Sequence, residues 1–342
     1  MSLKSICVYL LKSFLVLLFA QTGYCIEPIS TTLLFGISSG LGIKYFDVIK
    51  ENTYCRYREC CSDNIIPFNI EKLQDSLENR LFGQHIVKEK LFQAVASHYK
   101  KIEKSQKPLV MSFHGSPGTG KNFVSNFIAE AVFEKGPESK FYHVFHGSQY
   151  SDSDLIKVYK KDVKNKVQEA VKTCPYSIIV FDEVDKMPEG IFDSIKNLLD
   201  HHNSVNGISY RKSIFIFLTN YGAEEITKTL FHLTNRERLY RHDTKLHHFE
   251  EINRLGVFNE QGGLKDSHLI KSAVIDFYLP FLPLEERHVT QCIKAEFESF
   301  GKESVTKEEI EQIKNYISFC PVTKYSYTGC KTIHPKVKAE CL

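Results

Sequence analysis

The chain carries almost no excess of charge: 44 Lys and Arg stand against 41 Asp and Glu over 342 residues, leaving a formal +3 at pH 7. A nucleic-acid clamp or a polyanion binder needs a strongly basic face, so those classes fall away and no nucleic-acid partner is expected. No internal repeat and no low-complexity run interrupts the sequence, which leaves ordinary globular domains with enough chain to bury a sizeable core. The ten cysteines contain no paired C-x-x-C spacing of the kind that holds a metal. Beyond the first 25 residues a bilayer-spanning run is also missing. The uncharged stretch from Pro28 to Ile43 would span only about 24 Å as a helix, against the roughly 30 Å of a hydrocarbon core.

What is present begins with residues 1–25, where Lys4, a mostly apolar run from Val8 to Ala20 broken by Lys12, and the small or polar Gln21, Thr22 and Gly23 have the layout of a secretory signal peptide. An uncleaved signal anchor is the alternative, and either places the folded part in the secretory lumen, where disulfides persist. Residues 26–50 then read as a segment that lies on the membrane surface or dips into one leaflet, with a buried core helix as the other possibility. Cys55, Cys60 and Cys61 follow, and in an oxidising lumen they read as structural disulfides.

The centre of the sequence is His114-Gly115-Ser116-Pro117-Gly118-Thr119-Gly120-Lys121-Asn122. An apolar run from Pro108 to Phe113 reads as a buried strand, and Phe123 to Phe133 repeats at helical spacing. A G-x-x-x-x-G-K between strand and helix is what a phosphate-binding loop requires: its glycines let successive N–H groups face phosphate oxygens, and Lys121 adds a cation. Asn122 stands where Ser or Thr commonly ligates Mg²⁺, and its amide oxygen is the substitute ligand expected here. Downstream, Ser177 to Phe181 is a β-rich run ending in Asp182 and Glu183, the Walker B pattern. Asp182 would face the hydrated Mg²⁺, and Glu183 would take a proton from the attacking water.

The remaining pattern supplies the frame. Pro67 to Lys104 reads as helical with a break at Gly83-Gln84-His85, Phe141 to Phe145 as a strand, and Ser151 to Thr173 as a surface helix capped by Ser151 or Ser153. Ser213 to Leu218 is a buried strand followed by Thr219-Asn220, whose amide can both donate and accept. This alternation predicts an α/β doubly wound parallel sheet over residues 51–275, with its ligand at the carboxyl ends of the strands. Thr227 to Gly263 shows no clean period. Residues 276–342 read as a smaller α-helical domain, with helices over Leu284 to Phe297 and from the cap Thr306 to Phe319, and then a tail.

On these residues the chain resembles the torsins, divergent Clp-type AAA+ ATPases of the endoplasmic reticulum and nuclear envelope. The resemblance runs through Glu27-Pro28-Ile29-Ser30, Leu81 to His85, Gly118 to Ser125, Phe181-Asp182-Glu183, Gly207 to Tyr210, Phe217 to Asn220, Pro280 to Glu285 and Gly329-Cys330-Lys331. It implies an AAA+ fold with a sensor-2 domain and the cofactors ATP and Mg²⁺. Gly115 to Asn122 would bind phosphate, and Asn122 and Asp182 the metal. Glu183 would be the catalytic base, Asn220 sensor 1 and Lys331 sensor 2, with adenine near Gly83-Gln84. It implies an activating luminal domain of a lamina-associated-polypeptide-type membrane protein, homo-oligomers and peripheral membrane attachment. No N-x-[ST] sequon occurs, so the glycosylation common in relatives is not expected.

Within this frame Cys330, beside Lys331, is expected to pair with Cys292 on the helix of the same small domain, as a redox switch or as a plain structural bridge. Two functions are carried forward: an ATPase that remodels proteins or membranes, and a nucleotide-gated assembly protein with little turnover. No aromatic pore loop is evident between residues 146 and 155, which speaks against a threading unfoldase. Torsins lack an arginine finger. Arg236, Arg238, Arg241 and Arg254 are the candidates in this chain, and the expectation is that they are solvated surface arginines.

Overall fold

The computed structural model describes residues 55, 59–62, 66, 68–250, 262–265, 267–302 and 304–341. The leader 1–25, the segment 26–50 and Arg254 lie outside them. The chain divides into two units, Met1–Cys60 and Cys61–Leu342. A Cys55–Cys60 disulfide is the described feature of the first, and the second carries the rest.

Asn69 starts the first helix by accepting a hydrogen bond from the Lys72 N–H, and α1 (Ile70–Arg80) buries Leu73 and Leu77 on one face. A turn through Gly83, at φ +73°, leads to α2 (His85–Lys100). Then follow β1 (Leu109–His114), α3 (Lys121–Val132), β2 (Tyr142–His146), α4 (Ile156–Thr173), β3 (Ile178–Asp182), α5 (Lys196–Leu199) and β4 (Ile214–Thr219). The order closes with α6 (Ala223–Asn235), α7 (His268–Lys271), β5 (Phe277–Pro280), α8 (Glu286–Ser299), α9 (Lys307–Lys314) and α10 (Ile333–Glu340).

The strands form one sheet in the order β2-β3-β4-β1-β5, and every neighbouring pair is parallel. Continuous apolar strands are what a sheet covered on both faces demands. Side chains alternate accordingly: Met111, Phe113, Val180 and Ile216 enter the core beneath α2 and α3, while Val110, Ile179, Phe181, Phe215 and Phe217 enter the core shared with α4. The register sets His114 opposite Thr219 and Phe181 opposite Phe217, so the carboxyl ends of β1, β3 and β4 open side by side. The C-terminal helices build a separate core from Leu284, Val289, Ile293, Phe297, Ile310, Ile313, Ile333 and Val337.

Several expectations change. β5 pairs with β1 inside the sheet, although the sequence boundary put residue 276 onward in the helical domain; four residues at a sheet edge, ending in Pro280, give little strand signal. The unpatterned region from Thr227 contains most of α6, whose Ile226, Leu230 and Leu233 form one narrow buried stripe among polar residues. Asp152, rather than Ser151 or Ser153, accepts from the Asp154 N–H to cap the short turn before α4. The helix capped by Thr306 stops at Lys314 instead of Phe319, because Phe319 is drawn into an antiparallel bridge with Ser326. The tail folds into α10, with Pro335 in its first turn, where a missing N–H costs nothing.

Candidate nucleotide site

β1 ends at His114, buried and held neutral with its pKa pushed down to about 3 by desolvation, with Lys121 adding to the effect. The loop Gly115–Gly120 then turns through positive φ at Gly115, Gly118 and Gly120. The turn is forced by crowding as well as by curvature. A Cβ at Gly115 would lie 2.3 Å from the Phe281 carbonyl oxygen, and one at Gly118 would lie 1.9 Å from that of Thr328. Gly120 delivers Lys121 to the first position of α3, buried, where its ammonium donates to the carbonyls of Gly115 and of Ser116 (3.0 Å) and to Asn220 Oδ1 (3.1 Å). Desolvation lowers the Lys121 pKa to about 8, opposed by Asp185 and Asp182 and assisted by Lys331. Its proton is therefore held more loosely than that of a surface lysine.

At the end of β3 the Asp182 carboxylate accepts from Asn122 Nδ2 at 2.7 Å and lies 3.6 Å from His146 Nδ1. Glu183 follows at φ +55°, an uncommon conformation for a residue with a Cβ. Its Oε1 pairs with Lys186 at 2.7 Å, and Gly147 packs so closely that a Cβ there would lie 2.1 Å from the Glu183 carbonyl oxygen. Asn220, one residue beyond β4, joins the two halves. Its Oδ1 accepts from Lys121, and its Nδ2 donates to Asp185 Oδ2 at 3.4 Å.

The C-terminal domain reaches the same place through its backbone. The Cys330 N–H donates to the Gly118 carbonyl at 2.9 Å, and Lys331 N is 3.0 Å from where a Gly118 Cβ would stand. Lys331 is thus beside the phosphate loop with its side chain exposed. A disulfide joins Cys330 to Cys292 on α8, and another joins Cys61 to Cys174 at the end of α4. Gly115 to Asn122, Asp182, Glu183, Asn220 and Lys331 therefore share one site at the carboxyl edge of the sheet.

The Torsin family description matches residues 55–181, and the description "Torsin-1A, C-terminal domain" matches 284–338. A curated "Torsin-like protein" of Drosophila melanogaster is 39% identical over 318 residues, covering 91% of this chain and 92% of its own. The chain belongs to the torsin family. A second "Torsin-like protein", from Caenorhabditis elegans, is 35% identical over 298 residues, 85% of this chain and 83% of its own. Among solved structures, the S. cerevisiae Hsp104–ADP complex matches with a TM-score of 0.57 at 15% identity, over 79% of this chain. This torsin spans 46% of that longer chain, and the likeness shows the AAA+ fold. A torsin with this fold is an AAA+ ATPase.

Three further features complete the torsin site. Asp182 offers hard carboxylate oxygens next to the phosphate loop, a set that suits Mg²⁺ finished by phosphate and water oxygens, while Asn122 turns its NH₂ to Asp182 and would have to swing to present its amide oxygen to the ion. Gln84 is buried and wholly engaged: Nε2 donates to the carbonyls of Thr119 (3.1 Å) and Leu282 (2.8 Å), and Oε1 accepts from Leu282 N. It braces the phosphate loop against the chain leaving β5. Arg241 is not a solvated surface arginine. It is buried, with one nitrogen on Glu285 at 3.2 Å and another on the Gly83 carbonyl at 2.8 Å, whereas Arg236 and Arg238 are exposed. Asp185 and Gly147 carry no motif of their own, although Asp185 is visible as the third acid of Asp182-Glu183-Val184-Asp185, and Gln84, expected near adenine, commits its side chain to Thr119 and Leu282.

Proposed function

We propose that this torsin binds ATP with Mg²⁺ and hydrolyses it in the endoplasmic reticulum lumen and perinuclear space, where the cycle remodels proteins or membranes. The observation that carries the reading is the convergence of Lys121, Asp182, Glu183 and Asn220 at the open end of the sheet, with residues 328–331 seated on Gly118. Mg²⁺, when bound, would neutralise phosphate charge. Loop N–H groups and Lys121 hold the phosphates, Asn220 orients the terminal one, and Glu183, released from Lys186, accepts the proton of the attacking water.

The luminal assignment draws on the signal-like start and on three disulfides, bonds that persist in oxidising compartments. Attachment to the membrane surface draws on residues 28–43, which lie outside the described residues. Among the described residues no helix is long and apolar enough to cross a membrane. Tyr150, the aromatic side chain between residues 146 and 155, is buried against Asp162, so it offers no exposed ring to a threaded chain.

An arginine from a partner completes the site in this reading. Arg241 is committed to Glu285 and Gly83, and a guanidinium reaching in from outside typically contributes about 10³ to 10⁵ in rate. The partner class is a luminal, nucleotide-free domain of a lamina-associated-polypeptide-type membrane protein, acting on a torsin homo-oligomer. The second reading, a nucleotide-gated assembly protein with little turnover, is favoured by the Glu183–Lys186 pair, which occupies the base. The test is ATP hydrolysis by purified protein with and without such domains. Strong stimulation that disappears when the partner arginine becomes alanine is expected, with Glu183→Gln still binding ATP but not hydrolysing it. Hydrolysis by Glu183→Gln at the parental rate removes Glu183 as base. Full-rate hydrolysis by the isolated protein, lost on changing Arg236 or Arg238, would put the finger in this chain.

A further inference from the structure

Asp185 lies on the 3-10 turn Val184–Lys186 that follows Glu183, and its carboxylate reaches across to the end of β4. Its Oδ1 accepts from Thr219 Oγ1 at 3.4 Å and from the Asn220 N–H at 3.3 Å, while Oδ2 accepts from Asn220 Nδ2 at 3.4 Å. The turn beneath it is held from the other side, where the Gly263 N–H donates to the Val184 carbonyl at 3.0 Å and the Tyr221 hydroxyl to the Asp185 carbonyl at 3.5 Å. The carboxylate therefore sits at a fixed point, facing the Asn220 side chain, which also touches Lys121.

An asparagine amide has two ends of opposite character and nearly equal size, so its orientation is decided by its neighbours. Lys121 can only donate, and a carboxylate can only accept. With Asp185 on one side and Lys121 on the other, the Asn220 NH₂ must face Asp185 and its carbonyl must face Lys121. Without the carboxylate, Lys121 alone would orient the amide, and once its ammonium turned to a phosphate nothing would hold the Asn220 amide against flipping.

We propose that Asp185 is a positioning residue that fixes the orientation of the Asn220 amide and thereby sets how strongly the site distinguishes ATP from ADP. The proposal rests on the nucleotide reading above, with Asn220 sensing the terminal phosphate. It differs from a role in folding because it predicts coupling to one side chain and to one phosphate.

The test uses full-length protein in the Glu183→Gln background, where bound ATP stays intact, and reads the ratio of ADP to ATP dissociation constants by equilibrium titration. Asp185→Asn is expected to narrow that ratio about five- to tenfold, while ADP affinity stays within about threefold. Asn220→Ala should narrow it to the same extent, and the double variant no further. Asp185→Glu, which keeps the charge but moves it by one methylene, should give a smaller narrowing, and it carries the test if Asp185→Asn does not fold. A parental ratio in the Asp185 variants, or full additivity with Asn220→Ala, overturns the proposal. Lys121→Ala separates the two levels: if it too keeps parental ATP affinity, the nucleotide reading itself has failed.

Discussion

Replacing Gly118 by alanine tests whether the C-terminal domain is truly seated on the phosphate loop. The new Cβ would lie 1.9 Å from the Thr328 carbonyl oxygen and 2.8 Å from its carbon, at φ +75°. Since ordinary contacts begin at 3.4 Å, residues 328–331 must retreat by roughly 1.5 Å, against the buried Gly329 and the Cys292–Cys330 disulfide that hold them. Left-handed strain costs about 1 kcal/mol, the Cys330–Gly118 hydrogen bond about 1 more, and the overpacking about 2, for a total near 4 kcal/mol. Gly207→Ala is the internal control, because Gly207 shares the backbone conformation, at φ +77°, but has nothing within 4 Å of its would-be Cβ. At roughly 2 °C per kcal/mol, thermal melts of the oxidised protein should fall by about 8 °C for Gly118→Ala and about 2 °C for Gly207→Ala. Only the former should also weaken ATP binding. Equal shifts in the two variants would refute the reasoning, since strain alone would then account for both.

Opening the Cys292–Cys330 bridge by Cys292→Ala with Cys330→Ala should remove about 4 kcal/mol of stability in the chain-entropy model, seen as a lowered denaturant midpoint. Equal ATP affinity in oxidised and reduced wild type would mark the bridge as structural and rule out a switch. Burial lowers the Lys121 pKa in the folded protein, and phosphate needs the charged form. ATP affinity should therefore be level below about pH 8 and decline above it, by at most tenfold per unit, until the pKa of the complex is reached. Lys121→Arg should remain level across that range, and parallel profiles would discard the assignment. Arg241→Met strands the Gly83 carbonyl and removes the buried partner of Glu285, whose other oxygen keeps Arg287 at 2.7 Å, and should cost about 2 to 3 kcal/mol, while Arg238→Ala should change stability by less than about 0.5. Loss of turnover with an unchanged melt for Arg241→Met would make Arg241 catalytic instead.

The sheet was readable because β1, β3 and β4 are buried on both faces and therefore appear as unbroken apolar runs. β5 and α6 were not, since a four-residue edge strand and a helix with three buried positions leave little trace in a linear pattern. At the site, spacing alone put Lys121, Asp182 and Glu183 in their places, because the chemistry of phosphate fixes short intervals along the chain. The links that hold the site together are long-range, and no local pattern announces them. Gln84 reaches Thr119 and Leu282, Asp185 reaches Asn220, and Cys330 reaches Gly118. Arg241 illustrates the same point: its Arg- and His-rich surroundings suggested solvent, and only the fold brings Glu285 to it.

The Cys61–Cys174 bond has a mechanical consequence. Cys174 stands four residues ahead of β3, so the disulfide welds the entry of the chain, upstream of α1, to the base of a central strand. Tension applied to anything that precedes Cys61 travels through two sulfur atoms into the sheet, and α1 and α2 carry none of it. A pull along the N-terminal segment would load β3 from below while Asp182 and Glu183 sit at its top. In a reducing medium the same pull would first peel away α1, whose Leu73 and Leu77 pack into the core beneath the phosphate loop's helix.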